Sequence, residues 1–268
     1  MPDTKVYLLD GGSLVIDGFH VFWNRGPAGE VRFPTYSVLV EHRDGRYLFD
    51  TGYDFAHVQR VLPFEKPIQT PEQTIPGALA KLGLKPSDIN DVINSHSPFA
   101  HCGGNRPCPT ACTICHAKEL EAAAAPQPFE HLGYSDLTFQ PALAKQKQNP
   151  PPPDPALDIY TPKFQTVTGD IELAKGLWLF ETPGHTAGHY SLMVELAGRR
   201  PMLFTADACY SKKNLDMMTI SSFHLDPAES VRSLHRLKAL AEKHDAELFY
   251  SHDMESWQGY VKAPGFYS

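Results

Sequence analysis

No stretch of this sequence stays apolar for the roughly 18 to 20 residues that a membrane span needs. The first residues, Met1 to Leu14, carry an acid early and no basic region ahead of an apolar one, as an export signal would. A cytoplasmic protein with no membrane partner is the expectation. Positive charge is also scarce: 24 Lys and Arg stand against 31 Asp and Glu, a formal charge of −7, and no basic run tracks a phosphate backbone. Nucleic acid is excluded as a partner. The five cysteines are odd in number and come without an export signal, which argues against a disulfide framework. What the chain does contain is a globular composition, 42% hydrophobic and 11% aromatic over 268 residues, enough for a substantial core. Histidine is abundant, at 13, and so is proline, at 24.

Runs rich in β-branched and aromatic residues, bounded by turn formers, predict strands over Lys5 to Leu9, Tyr36 to Glu41, Arg46 to Phe49 and Asp91 to Ser95. Further strands are predicted over Leu177 to Glu181, Tyr190 to Glu195, Met202 to Thr205 and Glu247 to Ser251. One helix is expected from near Thr74 to Gly83. A second runs from Pro227 to His244, with Asp226 as its N-cap, proline at its first position, Glu229 three residues after the cap, and an apolar stripe of Val231, Leu234, Leu237 and Leu240. The prolines of residues 149–155 cannot enter a helix or a central strand. They read as an exposed insertion loop near 145–162 within one α/β domain spanning 1–268.

Four predicted strands run into a residue able to bind metal: His96, His185, Asp207 and His252. A strand holds its last side chain stiffly, and the loops beyond strand ends of an α/β sheet are where sites are built. Any one of these residues could simply close a strand. Four together point to a site.

At these residues the sequence resembles the metallo-β-lactamase superfamily. Asp50-Thr51-Gly52, Asn94-Ser95-His96, His101-Cys102-Gly103-Gly104, Thr182 to Thr186, Ala206-Asp207 and Ser251-His252-Asp253 match its signature in order and spacing. Phe22 to Gly26, Leu62 to Pro67, Gln127 to His131 and Gly184 to Tyr190 resemble the N-acyl homoserine lactonase branch, and most closely its members that open a pyridoxolactone. The resemblance implies an αββα sandwich with a site for two metal ions, usually zinc, at one edge.

One departure from that pattern matters. Where the family has H-x-H-x-D-H, this chain has His96-Ser97-Pro98-Phe99-Ala100-His101. Carried over by position, the first metal site keeps His96, His185 and Asp207 and loses its ligand at 98. The second keeps His101, Asp207 and His252 and loses its carboxylate at 100. Each surviving set has the three donors that a catalytic zinc needs. Two nearby dications repel and depend on bridging anions, so one ion is expected rather than two. Two imidazoles and a carboxylate also suit non-haem iron(II). The lost carboxylate also orients the attacking hydroxide in this family, so weakened or altered hydrolysis follows.

Tyr210 matches the lactonase tyrosine that donates to the lactone carbonyl, making Tyr210 and Asp207 the expected catalytic residues. Trp23 and Arg25 are placed to stack on and pair with a flat anionic substrate. Cys102, Cys108, Cys112 and Cys115, with His101 and His116 nearby, have spacings that suit zinc or an iron-sulfur cluster, but small buried hydrophobes are the preferred reading. The sequence therefore favours a metallo-hydrolase opening a lactone or similar small cyclic ester or amide, with an aromatic lactone among the candidate substrates. The alternative is a divergent member without lactonase activity, either binding a ligand or using one zinc or iron for different chemistry.

Overall fold

Alternation along the strands decides how the layers stack. The computed structural model describes residues 4–134 and 163–268, so the proline-rich stretch near 145–162 lies outside the described residues. One sheet runs in the order β1 (Lys5–Asp17), β2 (Glu30–His42), β3 (Gly45–Phe49), β4 (Asp91–Ile93), β5 (Cys112–His116) and β6 (Lys163–Val167). The other runs β11 (Glu247–Phe249), β10 (Met202–Phe204), β9 (Tyr190–Val194), β8 (Leu177–Glu181) and β7 (Ile171–Ala174). The helices are α1 (Gly18–Val21), α2 (Phe55–Val61), α3 (Ile75–Ala80), α4 (Phe99–Cys102), α5 (Ala117–Ala124), α6 (Lys212–Met217), α7 (Pro227–Lys243) and α8 (Met254–Gly259).

Val6, Leu8, Val38, Val40, Phe49 and Ile93 of the first sheet share one buried cluster with Leu179, Leu192, Val194, Phe204 and Phe249 of the second. The intervening residues Tyr7, Leu9, Leu39, Leu48 and Val92 face the other way, onto Ile75 and Leu79 of α3. On the second sheet Phe180, Met193 and Leu203 turn outward onto Leu234, Leu237 and Leu240 of α7. Successive side chains of a strand point to opposite faces, so a strand buried on both sides reads as a continuous apolar run. The result is the expected αββα sandwich.

Helix α7 starts as its sequence predicts, with Asp226 Oδ1 accepting from the Glu229 N–H at 2.9 Å. Its stripe of Val231, Leu234, Leu237 and Leu240 lies in the outer cluster. Thr74 caps α3, which ends at Ala80, and the chain then reverses through Gly83 at φ +71. Strand β1 runs well beyond its predicted end at Leu9. Gly11 and Gly12 form a bulge between Asp10 and Ser13, after which pairing with β2 resumes. Gly12, at φ +94, lies so close to the backbone that a Cβ there would meet the Ile68 carbonyl at 2.3 Å. The predicted strands do not extend to β6 and β7. β6 and β7 are short edge strands with polar, partly exposed residues, and neither has the apolar run of an interior strand.

Candidate metal centre

The ends of β4, β8, β10 and β11 bring five side chains together at one edge of the sandwich. His96 follows β4 by three residues, and His101 sits on α4 in the same connection. His185 lies in the turn after β8, Asp207 in a 3-10 turn after β10, and His252 just past β11. Asp207 is the hub. Its Oδ2 is 3.7 Å from His96 Nε2 and 3.5 Å from His185 Nε2. Its Oδ1 is 3.1 Å from both His101 Nε2 and His252 Nε2. The sets His96/His185/Asp207 and His101/Asp207/His252 each hold their ligand atoms within 4.8 Å of one another.

Buried hydrogen bonds aim these donors. Asp50 Oδ1 accepts from the Ser95 N–H at 2.7 Å, and Asp50 Oδ2 accepts from the Ser95 hydroxyl at 2.7 Å. The Ser95 hydroxyl has thereby given its proton away, so it accepts from His96 Nδ1 at 2.8 Å. That leaves the His96 Nε2 lone pair for the centre. Asp50 Oδ2 also holds His101 Nδ1 at 2.8 Å, and the Pro34 carbonyl holds His252 Nδ1 at 2.9 Å. Partners of this kind fix a histidine's tautomer and ring direction.

Asp207 is positioned by a residue to which the sequence reading assigned no role. Its N–H donates to His189 Nε2 at 3.0 Å, so the His189 proton sits on Nδ1, facing Thr182 Oγ1 at 2.9 Å. The Thr182 hydroxyl then donates to Ser191 Oγ, which donates to the Thr205 carbonyl. Glu119 was also unassigned. Its fully buried carboxylate accepts from the Ser97 N–H at 3.0 Å and the Gly188 N–H at 2.7 Å, joining the loops that carry His96 and His185. Asp50 and His189 lie inside motifs noticed in the sequence, but only the fold shows what they hold.

The electrostatics follow from burial around one carboxylate. Burial, reinforced by the neighbouring His101, pulls His96 well below the usual imidazole range, and burial brings His185 down to about 4. Burial pulls His101 down as well, but Asp207 and Asp50 on its two nitrogens outweigh that and hold it at about 10. Burial pushes Asp207 up, yet His101 and His252 keep it well below the ordinary carboxylate range.

The neutral His96 Nε2 and Asp207 Oδ1 are buried and make no hydrogen bond of good geometry. Converging lone pairs left unpaired are costly, and a cation at their centre accounts for them. Two imidazole nitrogens and a carboxylate match zinc chemistry, so the residues present fit a metal ion. Pro98 and Ala100 add no donor to either set. Pro98 is the N-cap of α4, and Ala100 packs with the apolar cluster of Leu14, Phe33, Leu62 and Phe99.

A cleft of about 550 Å³ opens above the donors, walled by Leu14, Ile16, Phe33, Leu62, Phe64 and Phe223. Tyr210 lines it, with its ring edge-on to His252 at 4.8 Å between centroids. Burial and the Asp207 charge push the Tyr210 phenol well above its ordinary value, keeping it a neutral O–H donor. Trp23 and Arg25 are not among the residues lining the cleft. Trp23 is 40% exposed and stands edge-on to His224, which does line it, while Arg25 faces solvent. Their neighbour Phe22 packs against Tyr210 from behind.

The cysteines are dispersed. Cys108 lies in the cluster between the first sheet and α3, and Cys102 and Cys115 lie in a small cluster with Ala123 and Tyr134. Burial raises the Cys108 thiol to about 12 and pushes Cys115 up as well, so neither is poised as a thiolate ligand. Among the described residues the two histidine and aspartate sets are the metal-competent groups.

A sandwich of two sheets with this donor edge defines a class of metallohydrolases, and sequence comparison places the chain within it. The metallo-beta-lactamase superfamily model matches residues 31–252, and the chain belongs to that superfamily. It is 30% identical over 276 residues, covering all of both chains, to N-acyl homoserine lactonase AttM of Rhizobium radiobacter. It is 28% identical to N-acyl homoserine lactonase AiiA of Bacillus thuringiensis subsp. kurstaki, over 95% of each chain. Its fold superposes with a TM-score of 0.84, at 26% identity and full coverage of both chains, on an N-acyl homoserine lactone hydrolase that has N-hexanoyl-L-homoserine, its product, bound at the catalytic metal centre.

Proposed function

We propose that the protein is a metal-dependent hydrolase that opens a lactone, with an aromatic lactone of the pyridoxolactone kind as its substrate and one zinc ion per chain. The observation that carries this reading is the placement of the neutral Tyr210 phenol in an apolar cleft directly over a converging set of histidine and aspartate donors. His101, Asp207 and His252, or His96, His185 and Asp207, would hold the ion. When bound, zinc supplies Lewis acidity toward a carbonyl and lowers the pKa of water toward about 7.

The chain's own groups do the rest. Tyr210 donates to the lactone carbonyl oxygen as negative charge develops there, and a donor preorganised in a site shielded from water gives up little reorganisation energy. The walls of Leu14, Ile16, Phe33 and Leu62 take the ring and exclude water. Asp207 stays ionised, and its two oxygens keep the donors in register while Asp50 and Pro34 hold the far nitrogens of His101 and His252. The test is elemental analysis of purified protein together with hydrolysis of an aromatic lactone. One zinc per chain with turnover is expected, and two ions per chain would overturn the single-ion assignment.

Pro98 and Ala100 favour a second reading, in which the chain keeps the fold and one ion but has lost lactone hydrolysis. A protein that holds zinc and opens no lactone would establish it.

A further inference from the structure

Five carboxylates line the cleft, and four of them have partners. Asp17 accepts from the N–H groups of Phe19 and Gly29, Glu30 pairs with Lys66, Glu130 accepts from the Gln127 N–H, and Asp207 faces its histidines. Glu65 differs. It ends the 3-10 turn Pro63–Glu65 that follows α2, and its backbone N–H is spent on the Leu62 carbonyl at 2.9 Å. The residue is only 7% exposed and lines the cleft, and among the described residues no hydrogen bond or ion pair offsets the burial of its carboxyl. The cleft it lines has apolar walls that include Leu14, Ile16, Phe33 and Leu62. Glu65 lines the same cleft as Tyr210, the proposed carbonyl donor.

Desolvation with nothing to offset it raises the Glu65 carboxyl to about 7. A carboxyl that borders the cleft without a protein partner is free to take one from a ligand. Such a group is retained where a ligand completes it, because a site built to hydrogen-bond one substrate rejects an analogue that lacks the matching group.

We infer that Glu65 is a specificity-determining residue whose carboxyl accepts a hydrogen bond from an O–H or N–H carried on the ring of the lactone substrate. The inference rests on the lactone-opening reading and narrows it to ring lactones with a polar donor. A wholly apolar ring or an alkyl chain would bury the carboxyl without a partner.

Phthalide, an aromatic γ-lactone without a donor, and its four ring-hydroxylated isomers make a matched series. Binding is measured by calorimetry on zinc-supplemented protein, with hydrolysis followed in parallel. At least one hydroxyphthalide should bind about 10-fold more tightly than phthalide. Glu65→Leu should abolish that preference while binding phthalide as well as or better than wild type, and Glu65→Gln should retain part of it. Thermal melting of both variants confirms that they fold, which removal of a desolvated acid favours. A hydroxyl preference that survives in Glu65→Leu, or is absent from wild type, overturns the inference. Opening of phthalide and hydroxyphthalides at equal rates would do so too, while leaving the lactonase reading intact. A hydroxyl preference in binding that depends on Glu65, without opening of any lactone, supports the inference and sinks the lactonase reading instead.

Discussion

At the scale of single residues, the cleft separates groups that act from groups that hold. Tyr210 is of the first kind: its hydroxyl is the donor, and its ring is already packed between Phe22 and the rings of His185 and His252. Tyr210→Phe removes that donor and leaves the packing. It should lower kcat by about 100-fold, with zinc content and KM little changed, as for loss of one oxyanion donor. Steady-state kinetics beside elemental analysis checks this. Glu65 leads to a different experiment. Its carboxyl lies at about 7 in the folded protein against an ordinary 4.5, so the folded state binds this proton more tightly than the unfolded chain does. Its contribution is fully present below pH 4.5 and lost as pH rises toward 7, a fall in stability of roughly 3 kcal/mol. Urea unfolding at a series of pH values should show this slope in the wild type, and Glu65→Gln should flatten it.

At the scale of elements, the proposed single-ion stoichiometry rests on the connection from β4 through α4. Its sequence shows the missing donors directly, since neither Pro98 nor Ala100 carries a side-chain lone pair. The conformation of that connection is decided in three dimensions. Pro98 lies at φ −64 and ψ 156, an N-cap geometry open to any residue, and its carbonyl accepts from the His101 and Cys102 N–H groups. A histidine at 98 therefore requires no rearrangement of the backbone. Pro98→His combined with Ala100→Asp should raise zinc from one to two ions per chain, and lactone hydrolysis should rise by more than the product of the two single effects. Donors sharing Asp207 act as a unit, so their contributions are not independent. Single variants near wild type and a double variant well above it are the expected pattern, measured by elemental analysis and turnover. A double variant whose gain equals the product of the two single gains would show that the sites are uncoupled.

At the scale of the whole molecule, the centre joins the two sheets. His96 and His101 come from the first sheet's connections, and His185, Asp207 and His252 from the second's, so either donor set spans the sandwich. An ion bound to such a set binds the folded state and not the unfolded chain, which makes its affinity part of the folding free energy. Stripping the protein with a chelator should lower its melting temperature, and zinc at 100 times its Kd should restore about 2.7 kcal/mol. An unchanged melting curve would place the ion outside this edge.

The amino-acid sequence by itself determined most of the interior strands and helix α7, and it singled out the five residues that the fold gathers at one edge. Those features are local: a strand buried on both faces is an apolar run, Asp226 and Pro227 announce a helix start, and a ligand at a strand end follows its strand in the chain. Edge strands β6 and β7 have no such run, and the continuation of β1 past the Gly11-Gly12 bulge depends on β2 lying beside it. The tertiary structure alone decided that His189 and Glu119 hold the centre, that Trp23 and Arg25 stand outside the cleft wall, and that Glu65 has no partner among the described residues. Each of these is a relation between segments distant in sequence. Burial, hydrogen-bond partnership and the electrostatics that follow from them exist only once those segments meet.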